Sequence, residues 1–188
     1  MGSGLRRIEA VTGREAARLA SDSLNTLQSL GKLLVSPPEG VVQKVQDLLD
    51  NLRQEMKKTE ALEREKALGD VAFLLTQKSE VDGIKLVAAR VKPMTPEILR
   101  DVAEAISTRL GSVIVVLGTV NEEKPFFLVT VSQDLATKGY HAGNIIRQVA
   151  AITGGGGGGK PGLAQGGGKN ISMLDAAIEA VPGLLKKK

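Results

Sequence analysis

Residues 153–170 read TGGGGGGKPGLAQGGGKN and hold ten of the chain's 22 glycines. No other segment restricts the fold as strongly. A run in which more than half of the residues lack a Cβ offers little to a hydrophobic core. It is also poor in the serines and acidic residues of a free linker, and structured pattern follows it, so the spacing predicts a loop held by the rest of the molecule. Two readings stay open. Consecutive glycines let backbone N–H groups converge on an anion, which Lys160 and Lys169 would bracket with positive charge. Alternatively, the glycines serve tight turns or close packing against a helix. Gly154–Gly159 with Lys160 matches half of a P-loop, but Pro161 follows where a hydroxyl residue is needed, and a helix rather than a strand precedes the run. A nucleotide-dependent enzyme therefore has little support.

Upstream, apolar residues from Arg14 to Leu34 recur at spacings of three and four, which predicts an amphipathic helix. Ser36-Pro37-Pro38-Glu39 reads as a stop and restart, with Ser36 as cap, Pro37 at the first helical position and Glu39 closing a capping box. The second helix carries Val41, Val45, Leu48, Leu52, Met56, Thr59 and Leu62 on one stripe. Glu55–Lys58 and Glu60–Arg64 are expected as ion pairs on its exposed face. A narrow stripe on a charged helix reads as a coiled-coil seam, whose partner is the first helix or a second copy of the chain.

After Gly69 the pattern changes to short β-branched runs, Ile84–Val91, Val113–Thr119 and Phe126–Val131. Between the first two, Pro96–Leu110 is helix-spaced, with Thr95 as cap and Gly111 as terminator, making a β-α-β unit. Pro125 suggests that the third strand lies at an edge. Ser132 caps a predicted helix over about 134–152, and a last short helix covers about 172–180.

Candidate chemistry is limited by composition. With no cysteine and His141 as its single histidine, the chain has no thiol nucleophile and no histidine-rich metal site, and no catalytic, cofactor or metal residue is expected in it. Twenty-five Lys and Arg against 21 Asp and Glu give +4, which permits a polyanionic partner. Lys138, His141 and Asn144 fall near one side of a helix start that Arg147 extends, and with Lys160 and Lys169 they form a candidate polar and basic patch. His141 reads as a hydrogen-bonded packing residue, or one used in recognition. Only four aromatic residues are present, Phe73, Phe126, Phe127 and Tyr140, so shape and backbone contacts should dominate any nucleic-acid binding. No apolar run approaches a membrane span, and the first residues lack the apolar stretch of a signal peptide.

The opening Ser3-Gly4-Leu5-Arg6-Arg7-Ile8-Glu9-Ala10-Val11-Thr12-Gly13, the Lys138–Asn144 run and the Gly154–Gly168 run, in this order around a helical hairpin, resemble the carboxy-terminal region of alanyl-tRNA synthetases. The resemblance spans nearly the whole chain; Gly162-Leu163 departs from the commoner acidic-then-methionine pair. It implies an α+β fold: an editing-domain remnant over 1–13, a helical hairpin or coiled-coil dimerisation arm over 14–68, and a small α/β DHHA1-like domain with a glycine-rich loop over 70–188. It further implies a non-catalytic module that binds the outer corner, or elbow, of tRNA and links aminoacylation with editing. The tRNA-binding candidates are Lys138, His141, Asn144, Arg147, Gly156, Gly157, Gly158, Gly159, Lys160, Gln165, Gly166, Gly167 and Lys169. A homodimer without membrane contact, in bacterial cytoplasm or an organelle, is expected. ATP, magnesium and the editing zinc would belong to other parts of the parent synthetase, with none in this chain. Two rivals are a nucleic-acid-binding module of a DHH-type phosphoesterase, which would not begin with SGLRRIEAVTG, and a purely structural oligomerisation fragment.

Overall fold

A computed structural model describes residues 9–185, so most of the opening motif, residues 1–8, lies outside the described residues. The chain divides into two units between Thr59 and Glu60, inside the second helix rather than at its end.

The first unit contains α1 (Gly13–Leu34), a 3-10 turn (Pro38–Gly40) and the start of α2 (Val41–Gly69). α1 ends in a left-handed residue, Val35 at φ 50°, with the Ser36 N–H donating to Gly31 O at 2.9 Å. This is a Schellman-type stop in which a β-branched residue takes the place that glycine prefers. A Cβ on Gly31 would lie 2.7 Å from the Ser36 carbonyl, so glycine is needed one turn earlier. The restart is displaced by one residue from the sequence expectation. Pro37 is the cap and Pro38 the first residue of the 3-10 turn, while Ser36 Oγ bonds Pro37 O and no capping box forms. Nor do the helices form a packed hairpin, for α1 contacts the turn and the apolar stripes stay open. Leu24 is 60% exposed, Leu52 57% and Met56 64%.

The second unit is a six-stranded sheet ordered β1-β2-β3-β4-β6-β5. Its strands are β1 (Ser79–Val81), β2 (Ile84–Arg90), β3 (Val113–Asn121), β4 (Lys124–Val131), β5 (Gly156–Lys160) and β6 (Leu163–Gly167). β2 and β3 are parallel, joined across α4 (Pro96–Leu110); all other neighbours are antiparallel. Thr95 caps α4 by accepting from the Ile98 N–H at 3.4 Å, and Gly111 ends it at φ 73°. β3 is buried from Val113 to Thr119, as a strand with helices on both faces must be. One core layer joins the end of α2, α3 (Val71–Thr76) and α4 to the sheet; the other lies under α6 (Ala142–Ile152), α7 (Leu174–Glu179) and α8 (Val181–Leu185).

Several expectations are corrected. The helix predicted over 134–152 is two, α5 (Gln133–Thr137) and α6, because Gly139 turns left-handed at φ 95° while the Tyr140 N–H closes back onto Leu135 O. The helix predicted over 172–180 is a 3-10 turn, Ile171–Met173, then α7, and α8 continues through Pro182 and Gly183. β4 is not an edge strand: Pro125 precedes the β6 ladder, which starts at Phe126, so its missing N–H costs no bond there. Glu55–Lys58 pairs at 2.7 Å, but Arg64 leaves Glu60 for Asp101 at 2.9 Å because α4 runs beside this part of α2.

Candidate nucleic-acid interface

The glycine run is two strands rather than a loop. β5 and β6 form a hairpin turned by Pro161-Gly162, with Gly156 facing Gly167, Gly157 facing Gly166, Gly158 facing Gln165, Gly159 facing Ala164 and Lys160 facing Leu163. β6 continues the sheet from β4, and β5 is its edge. Alternation along a strand sorts these pairs into two faces.

On one face, Gly157, Gly159, Ala164 and Gly166 lie under α6. A Cβ at Gly157 would stand 2.7 Å from Gly166 Cα and 3.0 Å from Ile146 Cγ1, and one at Gly166 would meet the same Ile146 atom at 2.9 Å. A Cβ on Gly143 of α6 would lie 3.2 Å from Gly159 O, and the Ala142 N–H donates to Pro161 O at 2.8 Å. At the far end, Gly155 passes under Gly167 and Gly168 under the Thr153 hydroxyl, both too close for any side chain, and the Lys169 N–H donates to Thr153 O at 2.8 Å. Close packing, across the strand pair and against α6, is therefore what this half of the glycines does.

The other face is bare. Gly156 and Gly158 are exposed, and a Cβ at either would meet nothing within 4 Å. Exposed Gln165 and Lys160 and half-buried Leu163 and Gly167 complete it, with Phe126 of β4 beside Gly167. Phe126 is not among the tRNA-binding candidates expected from the sequence. The signal was the Phe126-Phe127 pair: on a strand one ring must face each side, and Phe127 is wholly buried. The result is a flat shelf of peptide backbone with a lysine at one end and an aromatic ring at its inner margin.

The structure gathers only part of the candidate patch. His141 is the residue before α6, Asn144 and Arg147 lie exposed one turn apart on it, and Lys138 lies exposed between α5 and α6. Lys160 joins this end through the Ala142–Pro161 bond. Lys169 does not: it lies beyond Gly167, at the opposite end of a five-residue strand pair, roughly 13 Å or more away at ~3.3 Å per residue. The two lysines therefore stand at opposite ends of the hairpin. His141 also departs from expectation. Its Nδ1 is buried with no hydrogen-bond partner, the only such side-chain atom among the described residues. At the same end of the sheet, Ser112 Oγ donates to Asp134 at 2.5 Å, and with a second bond from Ser132 this holds the Asp134 carboxyl below its ordinary range. That contact ties the start of β3 to α5. No group of three or more metal-ligating side chains occurs among the described residues, and no helix of the described residues is long and apolar enough to cross a membrane.

Comparison with known proteins follows the same division. The DHHA1 domain family matches residues 83–187. The alanine–tRNA ligase of Dehalococcoides mccartyi is 44% identical over 185 residues, and that of Natranaerobius thermophilus 38% over 188. These alignments cover 98% and 100% of this chain but 21% of each relative, so the chain spans about a fifth of their length. The crystal structure of the C-Ala domain from Aquifex aeolicus alanyl-tRNA synthetase superposes with a TM-score of 0.54 at 29% identity, covering 58% of this chain and 98% of that one. By its sheet, its glycine hairpin and these matches, the chain belongs to the DHHA1 domain family, in the form similar to the carboxy-terminal region of alanyl-tRNA synthetases.

Proposed function

We propose that the globular unit is a non-catalytic tRNA-binding module that takes the elbow of tRNA on the bare face of the β5–β6 hairpin. The observation that carries this reading is the division of labour among the glycines. Close packing requires Gly157 and Gly166 against Ile146 of α6 and Gly159 against the facing backbone of β6, but it does not require Gly156 or Gly158, which face open space. A shelf without side chains suits a flat surface, and the exposed bases at a folded RNA corner offer one for stacking. Lys160, Arg147 and Lys138 then supply phosphate contacts that position the RNA without reading its sequence. Gln165 provides a hydrogen-bonding amide in the middle of the shelf. Within a synthetase, such a module would hold one tRNA near both the aminoacylation and the editing centres.

The exposed stripe Leu48, Leu52, Met56 and Leu62 on α2, between 47% and 66% exposed, supports pairing of two copies through the helical arm.

The test is tRNA affinity at two salt concentrations for the chain and for Lys160→Ala. Each phosphate contact released should flatten the slope of log K against log salt by about 0.7 to 1. An unchanged affinity and slope would remove Lys160 from the interface.

A further inference from the structure

A second feature lies away from the hairpin, on the sheet face that carries α3 and α4. There, at the carboxyl end of β2, a cleft of about 160 Å³ opens between the end of α2, α3 and the chain leaving the strand. Crevices outside the carboxyl ends of parallel strands are the usual ligand sites of α/β sheets, and β2 and β3 are the parallel pair here. Leu74 and Met94 line its apolar interior, while Phe73 forms a wall that is 64% exposed. α3 buries Val71 and Leu74 fully or nearly so and turns its one aromatic ring outward, where core packing does not explain it.

The rim carries both signs of charge. Asp70 accepts from Lys92 Nζ at 3.1 Å, and Arg90, on the same rim, pairs with Asp175 at 2.7 Å. The Lys92 backbone is held in place by the buried Thr119 hydroxyl, which donates to its carbonyl at 2.8 Å. The Lys92–Asp70 pair is solvent-exposed, at 68% and 50% for the two side chains, so it is weak enough to exchange for a ligand.

The lining suits an occupant that is flat and apolar on its faces and carries donors and acceptors on adjoining edges. A purely anionic ligand would meet Asp70, and a purely aliphatic one would leave the rim charges unused. We propose that this cleft is a binding site for a guanine nucleotide. The ring stacks on Phe73, its N1–H and amino group donate to Asp70, and its O6 and N7 accept from Lys92 and Arg90. The site is separate from the hairpin shelf and stands or falls without it.

The probe is guanosine monophosphate, titrated to millimolar concentration into the chain with 13C-methyl methionine. The Met94 methyl, assigned through Met94→Leu, is the reporter. The expected result is a saturable ring-current shift that adenosine and cytidine monophosphates reproduce only at higher concentration. Phe73→Ala, at an exposed position, should weaken it at least about fivefold. Asp70→Asn should remove the preference for guanine over adenine. A Met94 shift that ribose 5-phosphate matches would mean an anion site only. A response to leucine side-chain mimics without one to the nucleotide would mean a protein partner. Either of these, or a titration indifferent to Phe73→Ala, overturns the proposal.

Discussion

Gly157 and Gly158 are neighbours in sequence with opposite surroundings, and alanine at each should have opposite effects. At Gly157 the new methyl would stand 2.7 Å from Gly166 Cα, 2.8 Å from Gln165 O and 3.0 Å from Ile146 Cγ1. Two of these are backbone, so the hairpin or α6 must move, and overpacking of this kind costs about 1–3 kcal/mol. At roughly 2–4 °C per kcal/mol for a chain of this size, Tm should fall by about 2–12 °C. At Gly158 the methyl meets nothing, and the backbone is not left-handed. Removing the flexibility of the unfolded chain should then stabilise by about 0.4–1 kcal/mol, raising Tm by roughly 1–4 °C. The same methyl stands on the shelf proposed to carry tRNA and would lift a stacked base away from the backbone. Stacking worth ~1–3 kcal/mol makes the expected loss of tRNA affinity at least about fivefold. Thermal unfolding by circular dichroism and tRNA titration on both variants separate the two roles. If Gly158→Ala binds tRNA as the parent does, the shelf is not the interface; if Gly157→Ala is as stable as the parent, the packing argument fails.

Glu122 and Glu123 form the two-residue turn between β3 and β4 with φ of 47° and 57°, values that favour asparagine and glycine. Glu122→Asn with Glu123→Gly should raise stability by about 1–2 kcal/mol in urea titration. Asp134 has its carboxyl held low by Ser112 and Ser132, so the stability it contributes is present above the ordinary carboxylate pKa and lost as pH falls through the lowered value. Asp134→Asn should therefore narrow the stability difference between pH 7 and acid in thermal melts, and an unchanged difference would refute this. Leu52→Glu on the open stripe should lower the apparent mass in sedimentation if two copies pair through α2, with tRNA binding by the globular unit retained per chain.

The β-α-β unit was legible because its residues carry the signal themselves: β-branched runs for β2 and β3, and Thr95, Pro96 and Gly111 at the ends of α4. The glycine hairpin was not. A strand is recognised by alternating side chains, and Gly156–Gly159 have none, so their pairing is visible only once Ile146 and Gly143 of α6 are placed above them. The break between α5 and α6 has the same origin, since Gly139 is compatible with a helix until its φ is known. Asp82-Gly83, between Val81 and Ile84 with both residues left-handed, is a hairpin turn whose sequence signal was present and unread. For the candidate patch, chain proximity placed Lys138, His141, Asn144 and Arg147 together correctly. It failed for Lys160 and Lys169, because a hairpin carries the two ends of a glycine run apart or together according to where it turns. Arg64 shows the corresponding limit for charge, since a partner at helix spacing loses to Asp101 on a neighbouring helix.

The central claim is that the globular unit recognises folded tRNA, and a titration of the chain with tRNA at two salt concentrations, against a duplex RNA competitor lacking the folded corner, tests it most directly. Salt-sensitive binding that prefers folded tRNA over the duplex is the expected result. Affinity no higher than for plain duplex would contradict it.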